Sequence, residues 1–156
     1  MKLRVNTLWR VPVFCVLAGI VCYYLTVYLN VFYAVKTVGE DGSISVSTDP
    51  VRAAIFQGVL FAVGLVVGGL FLFRAMSKTE IAVSAAIAVA LEAALSGLLY
   101  AASQFSPTAV VWLLPLTQWT GALGSVLTRI TQVPAVSWIG MLAPFLFVPF
   151  GRGSAK

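Results

Sequence analysis

Residues 11–35 contain no charged side chain, and neither do residues 53–73. A helix advances about 1.5 Å per residue, so roughly 20 residues cross a hydrocarbon core about 30 Å thick. Both runs meet that length. Composition points the same way, with 60% hydrophobic and 10% charged residues against roughly 45–50% and 25% in soluble domains. No water-soluble fold of 156 residues could hide that much apolar surface. The expected class is an all-α integral membrane protein, a single polytopic transmembrane domain over residues 1–156.

Four transmembrane helices are expected, at about residues 11–35, 51–74, 79–103 and 135–150. The third is interrupted only by Glu92, and its start is marked by Ser77 and Glu80, the S-x-x-E spacing of a capping box. Asp49 and Pro50 mark the start of the second, with the acid at the cap and proline in the first turn. Ser106 and Pro107 repeat that signal. The outer loop, 36–49, alternates apolar and polar residues around Gly39, Glu40, Asp41 and Gly42. Val35, Val38, Ile44 and Val46 predict a short hairpin closed by that turn.

Residues 93–128 carry no charge, and residues 130–151 carry none either, so either two further helices cross or one crosses and one lies flat. Leu116, Trp119, Leu123 and Val126 share one helical face, while Thr117, Gly121, Gly124, Ser125 and Thr128 share the opposite one. That division predicts an interfacial or re-entrant amphipathic helix at about 115–132, flanked by Trp112 and Trp119. The last crossing would be short and bent by Pro144.

The net charge of +5 is spread over the ends of the apolar runs and not clustered. It therefore reads as membrane topology, and no nucleic-acid partner is implied. With four crossings and both termini cytoplasmic, Lys2, Arg4, Arg10, Arg74, Lys78, Arg152 and Lys156 lie inside, and Lys36, Arg52 and Arg129 outside. Seven against three satisfies the positive-inside rule, whereas five crossings reduce the ratio to six against four. The first run is too long for the apolar core of a signal peptide and is expected to stay as a helix.

Without histidine, and with two cysteines that share one helix, the chain holds little material for a metal site, and no cofactor is expected. Cys15 and Cys22 read as small packing residues. Glu40, Asp41 and Asp49 read as solvated turn residues, with Arg52 a partner for Asp49. Enzyme chemistry is not expected, because there is no histidine, no paired intramembrane acid and no Gly-x-Ser-x-Gly elbow.

Glu92 is the position to single out, since a carboxyl in mid-membrane must face protein or a water-filled cavity. On a helical wheel it joins Ala85, Ala88, Ser96 and Ser103, a small and hydroxylated face that a neighbouring helix would approach. Gly64 and Gly68 form a G-x-x-x-G pair aligned with Gln57, and Gly19 lies with Cys15, Cys22 and Thr26 on one face of the first helix. These glycines are the expected helix-packing positions.

Two readings of function follow. In the first, the chain is a non-enzymatic accessory or assembly subunit of the cell membrane. It would act through helix contacts with the bilayer and a partner subunit or second copy, and protonated Glu92 would donate an interhelical hydrogen bond. In the second, Glu92 with Gln57 and Ser96 forms an intramembrane polar site. The chain would then be a small oligomeric transporter or channel for a proton, cation or small polar solute.

Overall fold

The computed structural model describes residues 5–38 and 43–152. A short turn α1 (Val5–Leu8) leads into α2 (Arg10–Tyr28), and a 3-10 turn (Asn30–Phe32) leads into β1 (Ala34–Val38) and β2 (Ile44–Thr48). Then come α3 (Pro50–Val67), which continues as a π-helical stretch (Gly68–Phe73), α4 (Lys78–Phe105), α5 (Pro107–Thr131) and a C-terminal 3-10 helix (Pro134–Phe150). The chain is mostly helical, and four helices are long and apolar enough to span a membrane.

Those four are Arg10–Tyr28, Pro50–Phe73, Lys78–Phe105 and Pro107–Thr131, which is not the expected set. The helix anticipated at 115–132 starts at Pro107 and carries Pro115 inside it. Ser106 accepts a hydrogen bond from the Ala109 N–H at 3.4 Å, and proline in the first turn has no N–H to leave unpaired. The segment expected as the last α-helix, 135–150, is instead the 3-10 helix, with Pro144 and Pro149 inside. At about 2.0 Å per residue its 17 residues still extend about 34 Å.

The first helix also ends earlier than expected, at Tyr28 and not near residue 35. The β-branched and aromatic residues that follow belong to the antiparallel pair β1–β2, in register from Ala34 opposite Thr48 to Val38 opposite Ile44. The turn expected at 39–42 lies outside the described residues. Beside the hairpin, Asp49 caps α3 by accepting from the Val51 and Arg52 N–H groups at 2.9 and 3.1 Å. The capping box of α4 is complete, with the Glu80 N–H on Ser77 Oγ at 3.2 Å and the Ser77 N–H on Glu80 Oε2 at 2.9 Å.

The core is aromatic. Trp119 of α5, fully buried, stacks on Phe61 of α3 (centroids 4.8 Å) and on Phe147 of the 3-10 helix (5.4 Å). Phe14 of α2 stands edge-on to Trp119 at 6.1 Å, and Phe73 meets Phe147 at 4.7 Å. Glycines make the room. A Cβ on Gly64 would lie 2.5 Å from Trp119 Nε1, and one on Gly68 would lie 2.8 Å from both the Phe14 and Phe147 rings. Gly19 lets α2 approach the Pro115 carbonyl of α5, where a Cβ would sit 2.6 Å from its oxygen.

Both described chain ends meet the beginning of α4. The Val11 N–H donates to Ser84 Oγ at 3.3 Å, and the buried Ser84 hydroxyl donates to the Leu8 carbonyl. The Arg152 N–H bonds the Met76 carbonyl at 2.9 Å, and the Arg152 carbonyl accepts from the Lys78 N–H at 3.3 Å. At the opposite end of the bundle, the Asp49 N–H bonds the Tyr33 carbonyl at 2.8 Å. There Arg129 and Ile130 of α5 face Pro50, Val51 and Ile55 of α3 across a cavity.

Candidate functional site

Helix α4 buries Ser84, Ala85, Ala88 and Glu92 along one stripe, and the stripe stops there. Ser103, on the same face by wheel geometry, is exposed and bonds the Tyr100 carbonyl at 2.6 Å. Beyond Glu92 the helix leaves the bundle interior. Leu98, Tyr100 and Phe105 on α4, with Val111 and Trp112 on α5, are all exposed, so the connection between the two helices carries an apolar surface.

Glu92 is 6% exposed and Thr120 of α5 is 2% exposed, and their side chains are hydrogen-bonded to each other. The Thr120 hydroxyl also reaches the Thr117 carbonyl at 3.0 Å. It has one hydrogen to give. Both contacts are satisfied together when the carboxyl carries a proton and donates it to Thr120, leaving the threonine hydrogen for the backbone. A carboxyl without its proton would take that hydrogen and leave the Thr117 carbonyl to the helix ladder alone.

The pair forms the inner wall of a cavity of about 260 Å³. Ser96 of α4, Thr117, Gly121 and Gly124 of α5, and Ser137, Trp138 and Met141 of the 3-10 helix complete it. Glycines bring the 3-10 helix close enough to close one side. A Cβ on Gly124 would lie 2.6 Å from the Ser137 carbonyl oxygen, and one on Gly140 would lie 2.7 Å from the Thr120 carbonyl oxygen.

Of the expected polar set, Glu92 and Ser96 come together and Gln57 does not. Gln57 Oε1 accepts from Ser125 Oγ of α5 at 2.5 Å. Ser125 lines a second cavity of about 600 Å³ with Thr128, Arg129 and Gln132. Thr26, which shares a face of the first helix with Gly19, has a buried hydroxyl with no hydrogen bond among the described residues and does not line the Glu92 cavity. The glycines Gly64 and Gly68 meet aromatic rings of α5, α2 and the 3-10 helix and not the Glu92 face. The helix that does meet that face is α5. The stripe of Thr117, Gly121 and Gly124 was legible, but Thr120, the residue that meets Glu92, was missed, and periodicity within one helix could not say which neighbour the stripe would face.

Comparisons with protein-family models, with curated proteins and with solved structures returned no match. The site is therefore read from its own chemistry.

Among the described residues no three carboxylate or thiol side chains come together. Asp49 is committed to its cap and to Arg52 Nε at 3.4 Å, while Glu40 and Asp41 lie outside the described residues. Cys15 and Cys22 are buried and unpaired. One carboxyl, a ring of hydroxyls and backbone carbonyls can bind a proton, a hydrated or amine cation, or a hydroxylated solute.

Proposed function

We propose that this chain is a small multi-pass protein of the cell membrane that binds a proton, cation or small polar solute at Glu92 and passes it along the hydroxyl-lined face of α5. The observation that carries this reading is the cavity beside the carboxyl. A carboxyl kept only to fasten two helices needs its partner and a close-packed surround. Here Glu92 stands at the wall of a space with room for several waters, at roughly 30 Å³ each.

The meeting of Leu8–Val11 and Arg152 at the start of α4 supports an even number of net crossings, and the charge balance favours the cytoplasmic side for that face. Arg129 and Ile130 lie at the hairpin end, so α4 and α5 together make one net passage from the chain-end face to the hairpin face. The 3-10 helix returns to the chain-end face, bringing the total to four. Phe105 and Trp112 near the α4–α5 connection then lie against lipid, and the hairpin faces outward.

The test uses purified protein in detergent and in liposomes. Thermal stability is measured against sodium, potassium, ammonium and ethanolamine, and proton flux is followed with a trapped pH-sensitive dye. The reading expects stabilisation or flux that Glu92→Gln abolishes while leaving the folded yield unchanged. Equal behaviour of wild type and Glu92→Gln in every assay would sink it.

A second reading, an accessory or assembly subunit, draws on the apolar surface that Leu98, Tyr100, Phe105, Val111 and Trp112 expose. It expects a stoichiometric foreign subunit when the tagged chain is purified from its own membranes in mild detergent.

A further inference from the structure

Arg129 borders two cavities of opposite character. On one side a space of about 510 Å³ between α3 and α5 is walled by Pro50, Val51, Ile55, Gly58, Val126 and Ile130. On the other lies the polar cavity with Ser125, Thr128 and Gln132. Among the described residues no acidic side chain lines either one. The ion pair found among the described residues joins Arg52 to Asp49, and Arg129 has no acidic partner there.

The donors and acceptors of the polar cavity are sorted by their existing bonds. Ser125 Oγ is already committed to Gln57 and the Ala122 carbonyl, and Thr128 Oγ1 donates to the Gly124 carbonyl at 2.9 Å. Their hydrogens are spent and their lone pairs remain. The donors left over are the Arg129 guanidinium and the Gln132 carboxamide, with the Ser137 hydroxyl on the same wall. Such a cavity suits a ligand with an anionic group for the donors and hydroxyls for the lone pairs. The apolar space beside the same arginine suits a hydrocarbon chain.

We infer that Arg129 holds an anionic glycerophospholipid of the surrounding bilayer. The phosphate would rest on the Arg129 guanidinium and Gln132, the hydroxylated headgroup would enter the polar cavity, and an acyl chain would lie between α3 and α5. Charge complementarity selects this occupant, since a zwitterionic lipid brings a cation that neither cavity can pair. The cavity adjoins the Glu92 cavity at Gly121 and Ser137, but the contacts proposed for the lipid do not include Glu92.

The test is native mass spectrometry of the full chain from nanodiscs of equal phosphatidylglycerol and phosphatidylcholine. Phosphatidylglycerol is expected to be retained over phosphatidylcholine by about tenfold, because choline brings a second cation beside the guanidinium where glycerol brings hydroxyls. Arg129→Gln should remove that preference and Arg129→Lys should keep part of it. Ala54→Phe, which fills the apolar space, should lower retention of phosphatidylglycerol with Arg129 intact. Equal retention of the two lipids by the wild type overturns the inference, as does an unchanged preference in Arg129→Gln. Displacement of the lipid by millimolar glycerol 1-phosphate also overturns it, since the occupant would then be a soluble phosphate. Thermal melting of each variant in the same nanodiscs separates loss of the site from loss of the fold.

Discussion

At the scale of single residues, a side chain here matters according to the group it meets on another helix. Glu92 and Thr120 are the clearest case, because each is buried and each is the other's side-chain partner. Thr120→Val keeps the shape and removes the hydroxyl, so it is expected to leave the carboxyl unpaired and lower stability by about 1–3 kcal/mol. Denaturant titration in a single detergent checks this. Glu92→Leu should cost less than Thr120→Val, since it removes the buried polar group outright. The reverse order would mean that the carboxyl's bonds dominate over its desolvation. Trp119 is the packing counterpart, and Trp119→Ala is expected to lose about 3–5 kcal/mol. Gly64→Leu attacks the same contact from α3, where even a Cβ would lie 2.5 Å from the indole nitrogen. It is expected to reduce folded yield as strongly as Trp119→Ala.

At the scale of elements, the helix starts were legible because capping is local chemistry. Ser77 with Glu80, Asp49 with Pro50, and Ser106 with Pro107 stand within four residues of each other, and each pair caps its helix in the structure. Ser77→Ala is expected to cost about 1 kcal/mol, read as a lower midpoint in the same titration. The hairpin strands were legible from alternation for the same reason. Helix α5 was not. An apolar stripe opposite a polar stripe describes an interfacial helix, and it equally describes a helix between an aromatic core and a polar cavity. Trp119, expected near the membrane interface, is instead the centre of the core. The apolar stripe of α5 meets Phe61 and Gly64, and its polar stripe meets Glu92 and Ser137. Ser84 was missed altogether, because a lone serine in an apolar helix carries no periodic signal. Its two bonds to Val11 and Leu8 exist only once α1 and α2 reach α4. Ser84→Ala is expected to expose the Leu8–Val11 stretch, read as faster hydrogen exchange of those amides with the rest of the bundle unchanged.

At the scale of the whole molecule, the arrangement tests itself through sidedness. A reporter fused to either end should be active in the cytoplasm, and a cysteine placed at Ser45 in the hairpin should react with an impermeant maleimide from outside. Labelling of Ser45→Cys only after the membrane is opened would reverse the proposed orientation. Phe105→Cys should stay unreactive in intact membranes if the α4–α5 connection lies in lipid. The long apolar helices, the helix starts, the hairpin and a Glu92 that faces protein were legible in the sequence itself, because they follow from apolar run length, capping and the cost of a carboxyl among apolar residues. What only the tertiary structure decided was pairing. Gln57 turned to Ser125, Thr120 turned to Glu92, and the glycines of α3 received rings from three other elements. Those choices depend on which helix faces reach each other across long sequence separations, and no local pattern along the chain encodes that distance.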